Sequence, residues 1–387
     1  MQFLTDTNID FMRLRKPLGI FSTLLVVVAL AYVFFIGHLN IGIDFAGGTQ
    51  IALRFQEQPE LDQLRDLLNQ AGIESPQIQR YGVESKNEVL IRTATVAGSE
   101  EGSSAALLGA LDAQFNAGQA AGFDLNREGP ESLAALLLRL DPSGLNPIEG
   151  ADNPYVTVAD EIIDLRRDRG LITEWSEVQS LPGVSPEVAS AVEQNSRLGS
   201  YAILSVENVG PQIGNELREK GVLAVLFSLI GMLIYIALRF ELRFGVGAVV
   251  AIIHDVAITL GLYALIHYEF NLTTIAAFLT LIGYSVNDTV VVFDRVRENM
   301  DKVRKEPLRS VLNQSLNQTL TRTVMTSGTT LVAVATLYVL GGEVLKGFSF
   351  ILMVGVIVGT YSSVFVASPV VLLWERWVHH RRAGSAG

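Results

Sequence analysis

The chain has 387 residues, 49% of them hydrophobic, a mean hydropathy of +0.35 and a net charge of −11. It is too apolar for an ordinary soluble protein, and its acidic balance argues against nucleic acid as a partner. It has no cysteine, which excludes disulfides and thiolate metal sites, and an oxidising compartment imposes no penalty on it.

Six stretches have the length and the low charge to cross a hydrocarbon core, at ~20 residues each. They lie near 18–37, 221–238, 244–266, 272–293, 323–341 and 346–374. The first resembles a signal-peptide core, but no small-x-small cleavage site follows it and it reads as a retained anchor. Arg13, Arg15 and Lys16 precede it, and His379, His380, Arg381 and Arg382 follow the last span. The loop between the fourth and fifth spans carries Arg295, Arg297, Lys302, Arg304, Lys305 and Arg309. The positive-inside bias places all three on the cytoplasmic side, and an even number of spans brings both termini there. Residues 39–220 hold 13 Lys+Arg against 28 Asp+Glu, net −15, and belong outside; the remainder is net +4. The expected organisation is an N-terminus and first span over 1–38, an external domain over 39–220, a five-helix membrane domain over 221–377 and a cytoplasmic tail over 378–387.

After the first span comes Gly42-Ile43-Asp44-Phe45-Ala46-Gly47-Gly48-Thr49. Its glycines suit a tight turn where the chain leaves the membrane and enters a strand, so Gly42, Asp44, Gly47 and Gly48 read as a structural junction. GTQIALRF (48–55) alternates like a strand, and ELDQLRDLLNQA (60–71) has helical spacing and ends at Gly72. Strands are expected at 76–81 and 88–94, a helix at 105–116 and a last strand at 201–206. That order, βαββαβ, is the ferredoxin-like split arrangement, and the external domain is expected to be α+β of this kind over 42–123 and 198–210.

The segment 124–197 is extra, with helices expected at 130–140, 156–168, 173–181 and 186–194. LITEWSEVQSLPGVSPEVASAV (171–192) looks like a helix-hairpin-helix turning at Leu-Pro-Gly-Val. Such hairpins often hold nucleic-acid backbones. Negative local charge and an external location favour a small helical packing unit or docking knob here.

The third span contains His254-Asp255 about ten residues, or ~15 Å, from its cytoplasmic end, and Asp288 in the fourth lies ~9 Å deep from the same side. The fifth opens at Arg322. At 100° per residue Thr274, Ala277, Leu281, Tyr284, Ser285, Asp288 and Arg295 share one stripe of the fourth helix. Arg322, Thr326, Thr329, Ala333 and Thr336 share one of the fifth, and the two stripes are suited to face each other. A carboxylate in a lipid-spanning helix costs roughly 2.5–3.5 kcal/mol on insertion scales, so such a group marks function unless it is a static pair. Burial favours the neutral form of a carboxyl and an approaching cation favours its anion. A helix shift alternating those surroundings would load a proton from one side and release it to the other. The paired signatures of an intramembrane aspartyl protease, Tyr-Asp and Gly-x-Gly-Asp, are absent. No nucleotide loop, zinc spacing or nucleophile constellation appears, so no enzyme, metal site or cofactor is expected.

Several motifs together resemble the SecF family, subunits of the bacterial SecDF protein-export complex. They are the 42–49 stretch, Val209-Gly210-Pro211 before the second span, Arg239-Phe240-Glu241 after it, His254-Asp255, and IGYSVNDTVVVFDRVREN (282–299). The resemblance covers roughly 1–123 and 198–382. It implies an α-helical membrane protein with six transmembrane helices, half of a transporter of the RND type, carrying a periplasmic domain. It further implies a bacterial inner-membrane location, a heteromer with SecD beside the SecYEG channel, and contact with lipid and with unfolded polypeptide in transit. Such proteins are understood to use proton motive force to draw polypeptides outward. By motif the proton-linked acid falls on Asp288 and its partner arginine on Arg322, with Asn287, Ser285, His254 and Asp255 lining a hydrated path. Gly210 and Pro211 join the junction motif. The 124–197 insert departs from the family's usual domain. An RND-type exporter of small apolar molecules and a non-transporting scaffold of the channel are the alternatives.

Overall fold

A computed structural model describes residues 7–37, 39–73, 76–82, 84–93, 100–118, 122–145, 152–303 and 306–384. Arg304, Lys305 and the expected strand end at Ala94 lie outside them. Two compact units form, Ala46–Asn215 and the pair of segments Met1–Phe45 and Glu216–Gly387.

In the first of these, β1 (Gly48–Phe55) turns Ile51, Leu53 and Phe55 into the core. α1 (Leu61–Gln70) packs Leu64 and Leu68 on them. It stops where Gly72, at φ +81°, takes the left-handed geometry that lets the Ile73 N–H donate to the Leu68 carbonyl at 3.0 Å. β2 (Gln77–Tyr81), β3 (Glu88–Thr93), α2 (Glu100–Phe115) and β4 (Tyr201–Val209) complete the core. The sheet order is β2-β3-β1-β4 and every neighbouring pair is antiparallel. Both helices lie on one face, adding Leu107 and Leu111 to the same cluster. β4 outruns its expected end at 206 because β1 offers ladder partners as far as the Gly48–Val209 pair.

Between α2 and β4, α3 (Pro130–Leu140), α4 (Val156–Arg169), α5 (Trp175–Gln179) and α6 (Pro186–Asn195) enclose their own core of Leu133, Leu137, Ile162, Ile163, Val178 and Val192. α5 is shorter than the expected 173–181, since Glu174 and Glu177 form a capping box that fixes its start. At the hairpin between α5 and α6 the Gly183 N–H donates to Glu161 Oε1 at 3.2 Å, and a Cβ on Gly183 would collide with that carboxylate. Turn amides of this kind are the donors that hold phosphate oxygens. Here an acid of α4 already occupies the position, which gives a physical reason for reading the hairpin as a packing unit.

The insert's two ends are fastened to α2. Asp112 accepts hydrogen bonds from Arg127 at 2.6 Å, Arg197 at 3.2 Å and Asn116 at 2.6 Å. Fully buried Asn126 donates to the Ile172 and Gly199 carbonyls and accepts from the Ile172 N–H. Burial pushes the Asp112 carboxyl up, but the Asn116 hydrogen bond and the Arg127 charge outweigh it, so the group sits below its ordinary 3.8. Burial, with the Asp112 charge beside it, pushes the Tyr201 phenol up to about 12. Asp124 behaves oppositely: its burial dominates and holds its carboxyl above 3.8. Asp112 therefore contributes stability that is present above its unfolded value and lost as pH falls through the depressed folded one; protonating Asp124 offsets part of that loss. Asp112→Ala should cost about 2 kcal/mol, discounted because its side chain is a quarter exposed. Amide exchange at Leu125, Asn126 and Gly199 should accelerate by roughly 30-fold, and unchanged exchange would remove Asp112 as the fastening.

In the other unit the candidate spans are Arg15–Ile36, Pro211–Ile236, Leu242–Leu265, Leu272–Lys302, Leu308–Leu340 and Val344–Trp377. The third is the most buried and the first two expose most of their side chains. Phe244, Ile252, Leu281, Phe293, Leu312, Leu316 and Ile351 form the shared core. Several helices outrun their apolar stretches, because backbone hydrogen bonding continues where lipid-compatible sequence stops. The fifth begins at Leu308, not near 323, and Arg322 lies well inside it. Its polar first half is packed by the N-terminal segment. Asn317 exchanges two 2.9 Å hydrogen bonds with the Ile9 backbone, Asn313 accepts from the Met12 N–H at 3.0 Å, and Arg309 pairs with Asp10 at 2.8 Å.

Candidate intramembrane site

The junction residues fall into two local settings. Asn40–Ile41 pairs in parallel with Glu269–Phe270, the Gly42 N–H donates to the Phe270 carbonyl at 3.0 Å, and a Cβ on Gly42 would strike Glu269. Asp44 Oδ2 then accepts from the Leu272 N–H at 2.9 Å, so the carboxylate satisfies an open amide at the start of the fourth helix. Separately, Gly47 (φ +71°) approaches Pro211 so closely that a Cβ would lie 3.2 Å from its Cα. Gly48 is also left-handed, at φ +139°. The Gly210 carbonyl accepts from the Gly214 N–H at 2.9 Å as the second span's helix begins.

Deeper in the helices two acids are buried, with different surroundings. Asp255, with no exposed surface, is met by three donors: His254 Nδ1 at 2.8 Å on Oδ1, and Ser285 and Ser362 hydroxyls at 2.5 and 2.7 Å on Oδ2. It thus ties the third, fourth and sixth spans together. His254 stacks on Tyr361, whose hydroxyl donates to the Leu18 carbonyl of the first span at 3.1 Å, and His254 Nε2 is buried without a partner. Asp288 is 2% exposed and accepts a hydrogen bond from Ser327 Oγ at 3.2 Å, with the Thr360 hydroxyl also beside it. Ser327 in turn accepts from Thr360 Oγ1 at 2.7 Å and from the Tyr284 hydroxyl at 3.4 Å. Arg322 acts on Asp288 by charge at longer range.

The structure places the expected residues in separate settings. Asn287 is exposed. Ser285 serves Asp255 and not Asp288. Arg322 is exposed and forms no ion pair with Asp288. Thr329, Ala333 and Thr336 are also exposed, and the packed face of the fifth helix is Ser315, Thr319, Thr323 and Ser327, one residue further round. Two polar stripes run along that helix, and the one packed inside this chain carries Ser327, while Arg322 lies on the other.

Sequence reasoning also missed Ser327, Thr360 and Ser362. Gly359-Thr360-Tyr361-Ser362-Ser363 is a small and hydroxylated run inside an apolar span, and buried hydroxyls need partners. Gly359 lets the helices close: a Cβ there would lie 3.3 Å from Ser285 Cβ and 3.6 Å from Asp255 Oδ2. A π-helical turn over Ser363–Ala367 follows directly, an insertion that re-aims side chains within a helix.

Six long apolar helices, a folded domain encoded between the first two and ionisable groups buried among the others define a multi-pass membrane protein with an embedded polar site. Residues 188–377 match the model of the C-terminal region of the SecD/SecF protein export membrane proteins, and 32–59 match the SecD/SecF GG motif. A protein translocase subunit SecF from Koribacter versatilis is 39% identical, over 98% of this chain and 95% of its own length. One from Desulfurispirillum indicum is 37% identical, over 95% and 92%. The crystal structure of SecDF, a translocon-associated membrane protein from Thermus, superposes with a TM-score of 0.67 at 31% identity over 97% of this chain. The chain spans 40% of that longer SecDF chain. This chain belongs to the SecF family of protein translocase subunits.

Proposed function

We propose that the chain is the SecF half of a translocase accessory complex that assists late-stage polypeptide export across a bacterial inner membrane. It pairs with SecD, works beside SecYEG and draws on proton motive force. Both termini are cytoplasmic and residues 39–220 periplasmic, in line with the charge bias of the loops. The strand order β2-β3-β1-β4, fully antiparallel with two helices on one face, supports a ferredoxin-like reading of the periplasmic core, with the helical insert as a fastened extension.

The observation that carries the proposal is the contrast between the two acids. Asp255 has three donors and is suited to hold one charge state in one geometry. Asp288 has a single short-range donor, Ser327 at 3.2 Å, with the Thr360 hydroxyl beside it and an arginine near enough to bias it by charge. Asp288 is the proton carrier and Arg322 tunes it, while His254 and Asp255 hold the third, fourth and sixth spans in place. Precursor translocation into inverted membrane vesicles, with ATP and with or without a proton gradient, tests the role. Comparing wild type, Asp288→Asn and deletion of 124–197 separates the membrane site from the insert. Wild-type stimulation by the gradient in the Asp288→Asn vesicles would overturn it.

A further inference from the structure

Asp288, in either of its charge states, sits among hydroxyls that have limited protons to give. Ser327 has one hydroxyl proton and two oxygen neighbours in line: Asp288 Oδ2 at 3.2 Å and Thr360 Oγ1 at 2.7 Å. Thr360 has one as well, and a choice between Ser327 Oγ and the Val356 carbonyl, each at 2.7 Å. Tyr284 offers a further proton to Ser327 at 3.4 Å. We propose that Thr360, Ser327 and Asp288 form a hydroxyl chain of reversible polarity, which lets the carboxyl take up or give up a proton without stranding a buried polar group. This rests on Asp288 being the proton site.

The protons balance in both states. With Asp288 anionic, Thr360 donates to Ser327 and Ser327 donates to Asp288. When a proton binds to the carboxyl, Asp288 donates to Ser327, Ser327 turns to donate to Thr360, and Thr360 turns to the Val356 carbonyl. One proton has been added, at Asp288, and two hydroxyls have rotated. Ser327 accepts from Tyr284 throughout, so its second lone pair is filled in both states. No heavy atom has to move. Between packed membrane helices, an anion-only or acid-only set of partners would pin the group to one state. Asp255 shows that arrangement, since both its serines and its imidazole nitrogen converge on the carboxylate. Ser327 and Thr360 are therefore positioning residues. Among the described residues, the charged or titratable groups recorded against this place are Arg322 from the fifth span and Tyr284 of the fourth itself. The sixth span contributes hydroxyls.

The two links fail differently when cut. Ser327→Ala removes the donor to the anion. Thr360→Val, nearly isosteric, leaves Ser327 with no acceptor when Asp288 is neutral. The pH profile of gradient-driven translocation, measured in inverted vesicles carrying the full chain with SecD, should thus move in opposite senses in the two variants. Each displacement should be about one pH unit, a tenfold change in proton affinity. Thr360→Ser and Ser327→Thr keep the hydroxyls and should keep the wild-type profile. Infrared difference spectra on the same membranes identify the carboxyl stretching band lost in Asp288→Asn and report its titration even where translocation is weak. If Asp288→Asn abolishes the gradient response but Ser327→Ala and Thr360→Val titrate like wild type, the chain is wrong and the carrier stands. Displacement of both in one sense also overturns the chain. If Asp288→Asn keeps the gradient response, the carrier assignment itself falls.

Discussion

Asp288→Asn should insert, fold and reach the membrane at wild-type levels, and translocate precursor with ATP, but gain nothing from a proton gradient. Asparagine matches aspartate in shape and its amide oxygen can still accept from Ser327 Oγ, now 3.2 Å from Oδ2. Replacing a carboxyl by a neutral amide at a buried site with one hydrogen bond should change stability by less than about 1 kcal/mol. The functional loss is of another size. At about 150 mV, one charge crossing the membrane is worth roughly 3–4 kcal/mol, and an amide carries none of it. The component of translocation that depends on the gradient should vanish, while the ATP-driven component remains. Arg322→Ala should lower the same component without affecting assembly, because the guanidinium acts by charge and makes no ion pair with the acid. A scaffold of the channel would tolerate both substitutions, and a small-molecule exporter would show efflux as its gradient-dependent activity. Vesicles in which Asp288→Asn responds normally to the gradient would leave the architecture and remove the motor.

Much of this was written locally in the chain. The apolar stretches located all six spans because membrane sequence must bury backbone and side chains in one solvent, so hydropathy alone marks it. Strand and helix order in the domain between the first two spans followed from period-two and period-3.6 patterns ended by turns, as at Gly72. What stayed hidden was partner choice. Asp288 and Asp255 were visible as costly residues, but which hydroxyl meets which acid depends on how the sixth helix turns, and the π-helical turn at Ser363–Ala367 shifts that register. The packed stripe of the fifth helix stayed hidden for a related reason. A charged residue attracts attention on a helical wheel, whereas Ser315, Thr319, Thr323 and Ser327 repeat every four residues without standing out. The start of the fifth helix at Leu308 was likewise obscured, because its first turns are polar and are packed by Ile9–Met12, about 300 residues distant.

Asp255 should behave in the reverse manner to Asp288, failing in stability before it fails in transport. Asp255→Ala strands His254 Nδ1 and the Ser285 hydroxyl in a buried site, while Ser362 keeps the Gly359 carbonyl as acceptor at 3.1 Å. Each stranded group costs on the order of 1–3 kcal/mol, and partial relaxation brings the sum to roughly 3–5 kcal/mol. Asp255→Asn is gentler, and its cost appears elsewhere. The new amide keeps its oxygen toward His254 Nδ1 and turns its NH2 to Ser285 and Ser362, so the Ser285 hydroxyl proton loses its carboxylate acceptor. A loss of about 1–3 kcal/mol follows. Thermal unfolding of the purified full chain in detergent should therefore rank wild type and Asp288→Asn together, Asp255→Asn below them and Asp255→Ala lowest. Ser362→Ala should add little to Asp255→Ala, since its carboxylate partner is already gone, and that non-additivity isolates the shared contact. If Asp255→Ala instead melts with wild type and loses only the response to the gradient, the fixed strut would prove to be a second proton carrier, and the division of labour between the two acids would have to be redrawn.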